Sequence, residues 1–202
     1  MAGAHAALAQ EAVSLEIEVA APLELRTAGP VVRSRGVLTD AQLRERLANG
    51  FPARLHYRVE LWSIRKWFND LEGTHDWDVV VSYDPLDKSY AVVRIVAEQV
   101  SVLGRFDRIV DAQVAVEQAR RVPLLPRRND RYYYIAKLDV ETLSVSDLNE
   151  VEHWLRGDAN PAVRGEKNPG TALGRGLKTL ALKLIGGEKR QYERRSMTFS
   201  PP

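Results

Sequence analysis

Ala53 to Phe68 reads ARLHYRVELWSIRKWF, and its first half sets Leu55, Tyr57, Val59 and Leu61 against Arg54, His56, Arg58 and Glu60. Successive Cβ atoms on an extended chain point to opposite sides, so this alternation predicts a strand with one buried face and one wet face. Beyond Leu61 both faces turn apolar. Trp62, Ile64 and Trp67-Phe68 then fit either a strand end covered on two sides or aromatic rings aimed at something else.

Outward from this strand the same period recurs. Trp77 to Tyr83 alternates, Asp84 to Lys88 (DPLDK) is rich in turn formers, and Tyr90 to Val96 returns, which predicts an antiparallel hairpin. Toward the amino terminus, Val13 to Val19 and Val31 to Val37 read as short strands. A helix follows, with Thr39 as N-cap, Asp40 in its first turn and Leu43 and Leu47 inward, ending at Asn49-Gly50 before Pro52. Toward the carboxyl terminus, Val100 to Phe106 reads as a strand. Asp107 is expected to cap a helix reaching about Arg120, with Ile109, Ala112, Val116 and Ala119 inward, and Pro123 and Pro126 close that unit. Tyr132 to Val140 reads as a strand with Tyr132, Tyr134, Ala136 and Leu138 on one face, and Ser146 or Asp147 opens a helix through Trp154 and Leu155. The fold class expected is α+β: an antiparallel sheet, sandwich-like packing being one option, with short helices and a C-terminal amphipathic helix.

Four segments follow from composition. Residues 1–9 resemble the remnant of a signal peptide, with Ala7-Leu8-Ala9 offering small residues at both positions that a signal peptidase reads; a disordered alanine-rich leader is the alternative. Residues 13–156 form the sheet domain. Residues 157–170, with Asp158, Asn160-Pro161, Gly165 and Asn168-Pro169, read as a linker, and 171–202 as a basic amphipathic helix and tail. The absence of cysteine excludes disulfide frameworks, zinc ribbons and thiol catalysis. No apolar run approaches the roughly 18 residues that a spanning helix needs.

Signatures of catalysis are absent too. The four histidines fall in four separate elements, and the best polar cluster, Glu72, His75, Asp76 and Asp78, reads first as a solvated loop and second as a metal site. Gly170 to Thr179 (GTALGRGLKT) imitates a phosphate loop, but Leu177 separates Gly176 from Lys178. No nucleophile elbow occurs. The expectation is therefore a protein that is not an enzyme and uses no cofactor and no metal. Tyr132-Tyr133-Tyr134, beside Arg127, Arg128 and Arg131, reads as sheet tyrosines covered by arginine stems.

Binding is the remaining theme. Between Arg164 and Arg195 nine basic residues face only Glu166, Glu188 and Glu193, although the whole chain carries a net charge of only +2. One reading inserts Leu173, Leu177, Leu180 and Leu184 in a lipid surface with Arg175, Lys178 and Lys183 toward anionic head groups. Another docks the same leucines on the protein's own sheet. Nucleic acid is disfavoured because only Tyr192 and Phe199 interleave aromatics with the charge. The candidate contacts for a protein partner or membrane are thus Trp62, Trp67 and Phe68, with Arg175, Leu177, Lys178, Leu180, Lys183 and Leu184.

Four motifs, Leu43 to Pro52 (LRERLANGFP), Tyr57 to Asp70 (YRVELWSIRKWFND), Tyr83 to Tyr90 (YDPLDKSY) and Tyr134 to Leu143 (YIAKLDVETL), stand in this order across residues 13–156. Their order and spacing resemble the bacterial envelope family catalogued as domain of unknown function 4390. That resemblance implies a secreted antiparallel-sheet domain with a short helix before its longest strand and no assigned reaction; it carries over no catalytic residue. The family pattern usually closes on an aromatic-rich strand, where this chain has a polar linker and a basic segment. The expected function is a noncatalytic periplasmic or envelope binding or scaffold domain that docks on a membrane-associated partner through edge strands or the basic segment. One alternative is an accessory subunit of a larger membrane assembly, with Trp62, Trp67 and Phe68 against a neighbour. Another is an enzyme whose site gathers Glu72, His75 and Asp78 with Arg58.

Overall fold

The computed structural model describes residues 13–97, 99–142 and 189–202. In chain order its elements are β1 (Ser14–Glu18), β2 (Val31–Arg35), α1 (Ala41–Ala48), β3 (Ala53–Ile64), β4 (Asn69–Asp84), β5 (Ser89–Val96), β6 (Gln99–Phe106), α2 (Ile109–Val116), β7 (Arg120–Arg121), β8 (Arg131–Thr142) and β9 (Lys189–Arg195). They form a six-stranded sheet in the order β6-β5-β4-β3-β8-β9 and a three-stranded sheet in the order β1-β2-β7. Every pairing is antiparallel. The α+β class with sandwich-like packing expected from the alternation is the fold found.

The period-2 reading of β3 decides which face is inner. Leu55, Tyr57, Val59 and Leu61 are all buried, together with Trp77, Val79 and Val81 of β4 and Tyr132, Tyr134, Ala136 and Leu138 of β8. Against them lie Leu15 and Val32 of the small sheet, Leu43 and Leu47 of α1, and Ala112 and Val116 of α2. The layers are also joined by polar contact, Ser34 Oγ of β2 lying 2.6 Å from Tyr57 OH of β3. The Tyr57 and Trp77 rings stack at 4.8 Å between centroids.

Several expectations are corrected. Asp40, not Thr39, is the N-cap of α1: its Oδ1 accepts the Leu43 amide at 2.8 Å, while Thr39 closes a preceding 3-10 turn by donating to Gly36 O at 2.6 Å. Asn49 does terminate α1, followed by Gly50 at φ +83°, a conformation that favours glycine. β3 stops at Ile64, because Arg65 to Phe68 is a turn closed by Arg65 N donating to Phe68 O at 3.0 Å. The chain then returns as β4 from Asn69, so Trp77 to Tyr83 is the second half of a longer strand and not a strand of its own. α2 ends at Val116, leaving Ala119 exposed, and Arg108, not Asp107, occupies its N-cap. Asp111 binds Arg108 across that first turn at 2.8 Å.

The largest difference lies at the carboxyl terminus. Lys189–Arg195 is not part of a helix and tail but an edge strand on β8, and Phe199 then bridges to Tyr132 through two backbone hydrogen bonds. Residues 189–202 therefore belong to the sheet domain. Its pairing is chemically specific: Lys189 Nζ reaches Asp139 at 3.0 Å and Glu141 at 3.4 Å, and Arg190 binds Asp40 and Gln42. The residues expected to form the leader, the helix opening at Ser146 or Asp147, the linker and the amphipathic helix all lie outside the described residues.

Candidate functional site

The long β3–β4 hairpin carries most of the polar chemistry, and alternation sorts it between two faces. On the face away from the core, register brings His56 opposite Asp78 and Asp139, and Arg58 opposite Asp76 and Lys137. His56 Nδ1 lies 2.9 Å from Asp78 Oδ1, which also accepts Arg54 Nε at 2.8 Å. Burial pushes the Asp78 carboxyl up, but the hydrogen bond from His56 and the adjacent Arg54 outweigh it and hold the carboxyl below its ordinary range. One strand step onward, Glu60 is buried and accepts from Arg58 Nε at 3.2 Å, Lys137 Nζ at 3.0 Å and Trp62 Nε1 at 2.9 Å. Burial raises its pKa, and Lys137 leads the contacts that bring it below the usual carboxylate value. Each acid on this ladder faces a base, which makes it a sheet-stabilising network.

The cluster Glu72, His75, Asp76 and Asp78 does not converge. All four sit within β4, and strand alternation turns His75 toward the core side, opposite Val59, while Asp76 and Asp78 share the outer face with Arg58 and His56. His75 packs instead near Trp77, with ring centroids 5.9 Å apart, and burial together with Arg120 lowers its pKa. Among the described residues no group of three or more histidine or acidic side chains is placed to hold a metal ion. The set proposed for an assembled enzyme site, Glu72, His75 and Asp78 with Arg58, is divided by the same alternation.

The aromatic candidates separate just as clearly. Trp62 is half-buried, its ring parallel to Tyr133 at 6.4 Å and its indole N–H committed to Glu60. Over the Tyr133 ring lies the Arg195 guanidinium, 3.7 Å from the ring centroid. The tyrosine run is thus split by alternation as expected, with Tyr132 and Tyr134 in the core, but the covering arginine comes from β9 and not from Arg127, Arg128 or Arg131. Trp67 and Phe68 stand at the turn, 84% and 61% exposed. Comparison with family models, curated proteins and solved structures finds no match.

The turn is braced. Arg65 Nε binds Asp70 at 2.5 Å and its other arm reaches Glu72 at 3.6 Å, so its charge is spent across the hairpin. Lys66 lies 5.7 Å from the Trp67 ring centroid and makes no ion pair among the described residues. Trp67 and Phe68, expected as contacts, stand on this turn and not on a continuing strand, and Arg65 to Phe68 contains none of the glycine, proline, asparagine, aspartate or serine that would signal the turn in the sequence. Arg175, Leu177, Lys178, Leu180, Lys183 and Leu184 lie outside the described residues. No helix among the described residues is long and apolar enough to cross a membrane.

Proposed function

We propose that this is a noncatalytic binding or scaffold domain of the bacterial periplasm or cell envelope, which docks on a membrane-associated protein through the tip of the β3–β4 hairpin. One observation carries the docking reading: Trp67 and Phe68 are exposed together on a turn whose flanks pair from Ile64 and Asn69 onward. Leaving two large aromatics in water forgoes roughly 2–3 kcal/mol each of burial, and such side chains anchor protein interfaces when a partner supplies the pocket. A protein partner is favoured over a lipid surface. Arg65 is neutralised by Asp70 and Glu72 of β4, which leaves Lys66 as the one basic residue of the turn without an ion pair among the described residues, and a single cation near anionic lipid contributes only about 1 kcal/mol. The envelope placement draws support from the small-residue leader and from the ordered motifs that resemble the envelope family.

A photo-crosslinking residue at position 67, in the cell that makes the protein, tests this. The expected product joins the chain to a protein of the membrane fraction and disappears when Phe68 is also replaced by Ala; a crosslinker at Leu86, the exposed turn at the other end of β4, gives no such product. Equal products at 67 and 86, or retention on protein-free anionic vesicles that matches the retention on native membranes, overturns the reading. The accessory-subunit alternative shares the same exposed aromatics and differs in stoichiometry: it requires the partner to copurify in constant ratio through high salt.

A further inference from the structure

Arg94 and Arg120 share a recess between the two sheets, and neither has an acidic partner among the described residues. Arg94 lies opposite Val79 on β5, on the face that otherwise presents Tyr90, Val92 and Val96 to the interior. Arg120 lies opposite Val32 on β7, so it enters the same space from the small sheet. The recess opens to solvent, and among the described residues its lining includes Arg33, Arg94 and Arg120 but no aspartate or glutamate. The Nε atoms of Arg94 and of Arg120 are both withdrawn from solvent without a hydrogen-bond partner. Two further polar groups of the lining, Ser34 Oγ and Tyr57 OH, are occupied with each other.

Charge makes this arrangement costly for the chain alone. Burial, reinforced by the neighbouring Arg94 charge, lowers the Arg120 pKa, and Arg120 in turn helps lower that of His75. Arginine is almost never buried unless paired, and a guanidinium presents its N–H groups in a planar fork that matches the oxygens of a carboxylate or a phosphate. Two such forks facing one recess, with an indole 5.5 Å beneath one of them, form a receptor for negative charge. Everywhere else on the large sheet the basic side chains that enter a polar network meet acids: Arg54 with Asp78, Arg58 with Glu60, Lys137 with Glu60 and Lys189 with Asp139.

We propose that this recess is an anion site in which Arg94 and Arg120 together hold one small oxyanion, a carboxylate or a phosphate group. The site lies apart from the hairpin tip and does not depend on the docking reading. Titration of the full chain with inorganic phosphate, and separately with succinate, against chloride at matched ionic strength tests it through Trp fluorescence, since Trp77 lies beneath Arg120, and through the thermal midpoint. Saturable binding of either probe, with a rise in the midpoint that chloride does not produce, is expected; which probe binds tells a phosphoryl ligand from a carboxylate one. Arg94→Gln and Arg120→Gln should each weaken binding about tenfold or more, the worth of one charged hydrogen bond, while Arg108→Gln on the surface leaves it unchanged. Arg94→Lys and Arg120→Lys keep the charge and remove the fork, and should weaken binding even where a Gln variant does not fold. No response beyond chloride, or all four variants binding as the natural chain does, overturns the proposal.

Discussion

Asp78 shows how a single side chain couples the outer face to pH. Its folded pKa is held below the ordinary value of 3.8 by His56 and Arg54 despite burial, so the unfolded chain binds the proton more readily. Stability contributed by this carboxylate is therefore complete above about pH 4 and lost as pH falls through the folded pKa. Glu60 acts with the same sign from an ordinary value of 4.5. Asp78→Asn should flatten the acid limb of a plot of unfolding free energy against pH, and an unchanged limb would show that the ion pair adds nothing. Gly29 is constrained differently: a Cβ there would stand 1.9 Å from the Val122 carbonyl oxygen, and the same segment is held by Val122 N donating to Pro30 O. Gly29→Ala should cost about 3 kcal/mol, measured by denaturant unfolding. The inward place of Arg94 is not legible from alternation, because the opposite row of Ala91, Val93 and Ile95 is wholly apolar and the row of Tyr90, Val92 and Val96 carries the charge. Nor is that of Arg120, since nothing local shows that it leaves a helix and joins a sheet.

At the level of elements, the sequence exposes strands whose two faces differ and conceals those whose faces do not. β3 and β8 alternate between apolar and polar and are legible from periodicity, whereas β5, apolar on both faces, is legible as the return of a hairpin after a turn. The first half of β4, Asn69 to Asp76, is polar on both faces because its outer side joins the charged ladder and its inner side runs beyond the core, so it resembled a loop. β9 was concealed for a related reason: as an edge strand it needs only backbone pairing, and its side chains are chosen for ion pairs with Asp139, Glu141 and Asp40 and for the charge that discourages edge-to-edge association. The exposed turn Arg65 to Phe68 is half legible: the aromatics break the alternation, which fits either a covered strand end or an outward contact, and the reversal itself leaves no signal. Replacing Trp67 and Phe68 together by Ala should alter unfolding free energy by no more than about 0.5 kcal/mol, whereas Trp77→Ala in the stacked core should cost about 3–5 kcal/mol. Comparable losses from both would place the tip within the folding core and remove it as a docking element.

Across the whole molecule the decisive feature is that the sheet is completed by residues from the far end of the chain. β8 lies between β3 and β9, and Phe199 packs on both Tyr132 and Tyr134, at 6.0 and 5.1 Å between ring centroids. A chain shortened before Lys189 thus loses an edge strand, the ion pairs of Lys189 and Arg190, the Arg195 contact on Tyr133 and an aromatic cover of the core. It also uncovers the long β8 edge, whose free amides and carbonyls then offer a template for another chain. The shortened protein should unfold at a markedly lower temperature and form concentration-dependent assemblies in sedimentation, while Phe199→Ala alone should cost about 2 kcal/mol, less than a fully buried aromatic because the ring is only partly covered. Removal of the carboxyl-terminal residues thus tests the sheet, and the binding role read for the basic segment is tested by substitution. Lys178→Gln with Lys183→Gln in the full chain tests that role and leaves β9 in place. A truncated chain that remains monomeric with an unchanged midpoint would show that β9 is an addition to a fold complete without it.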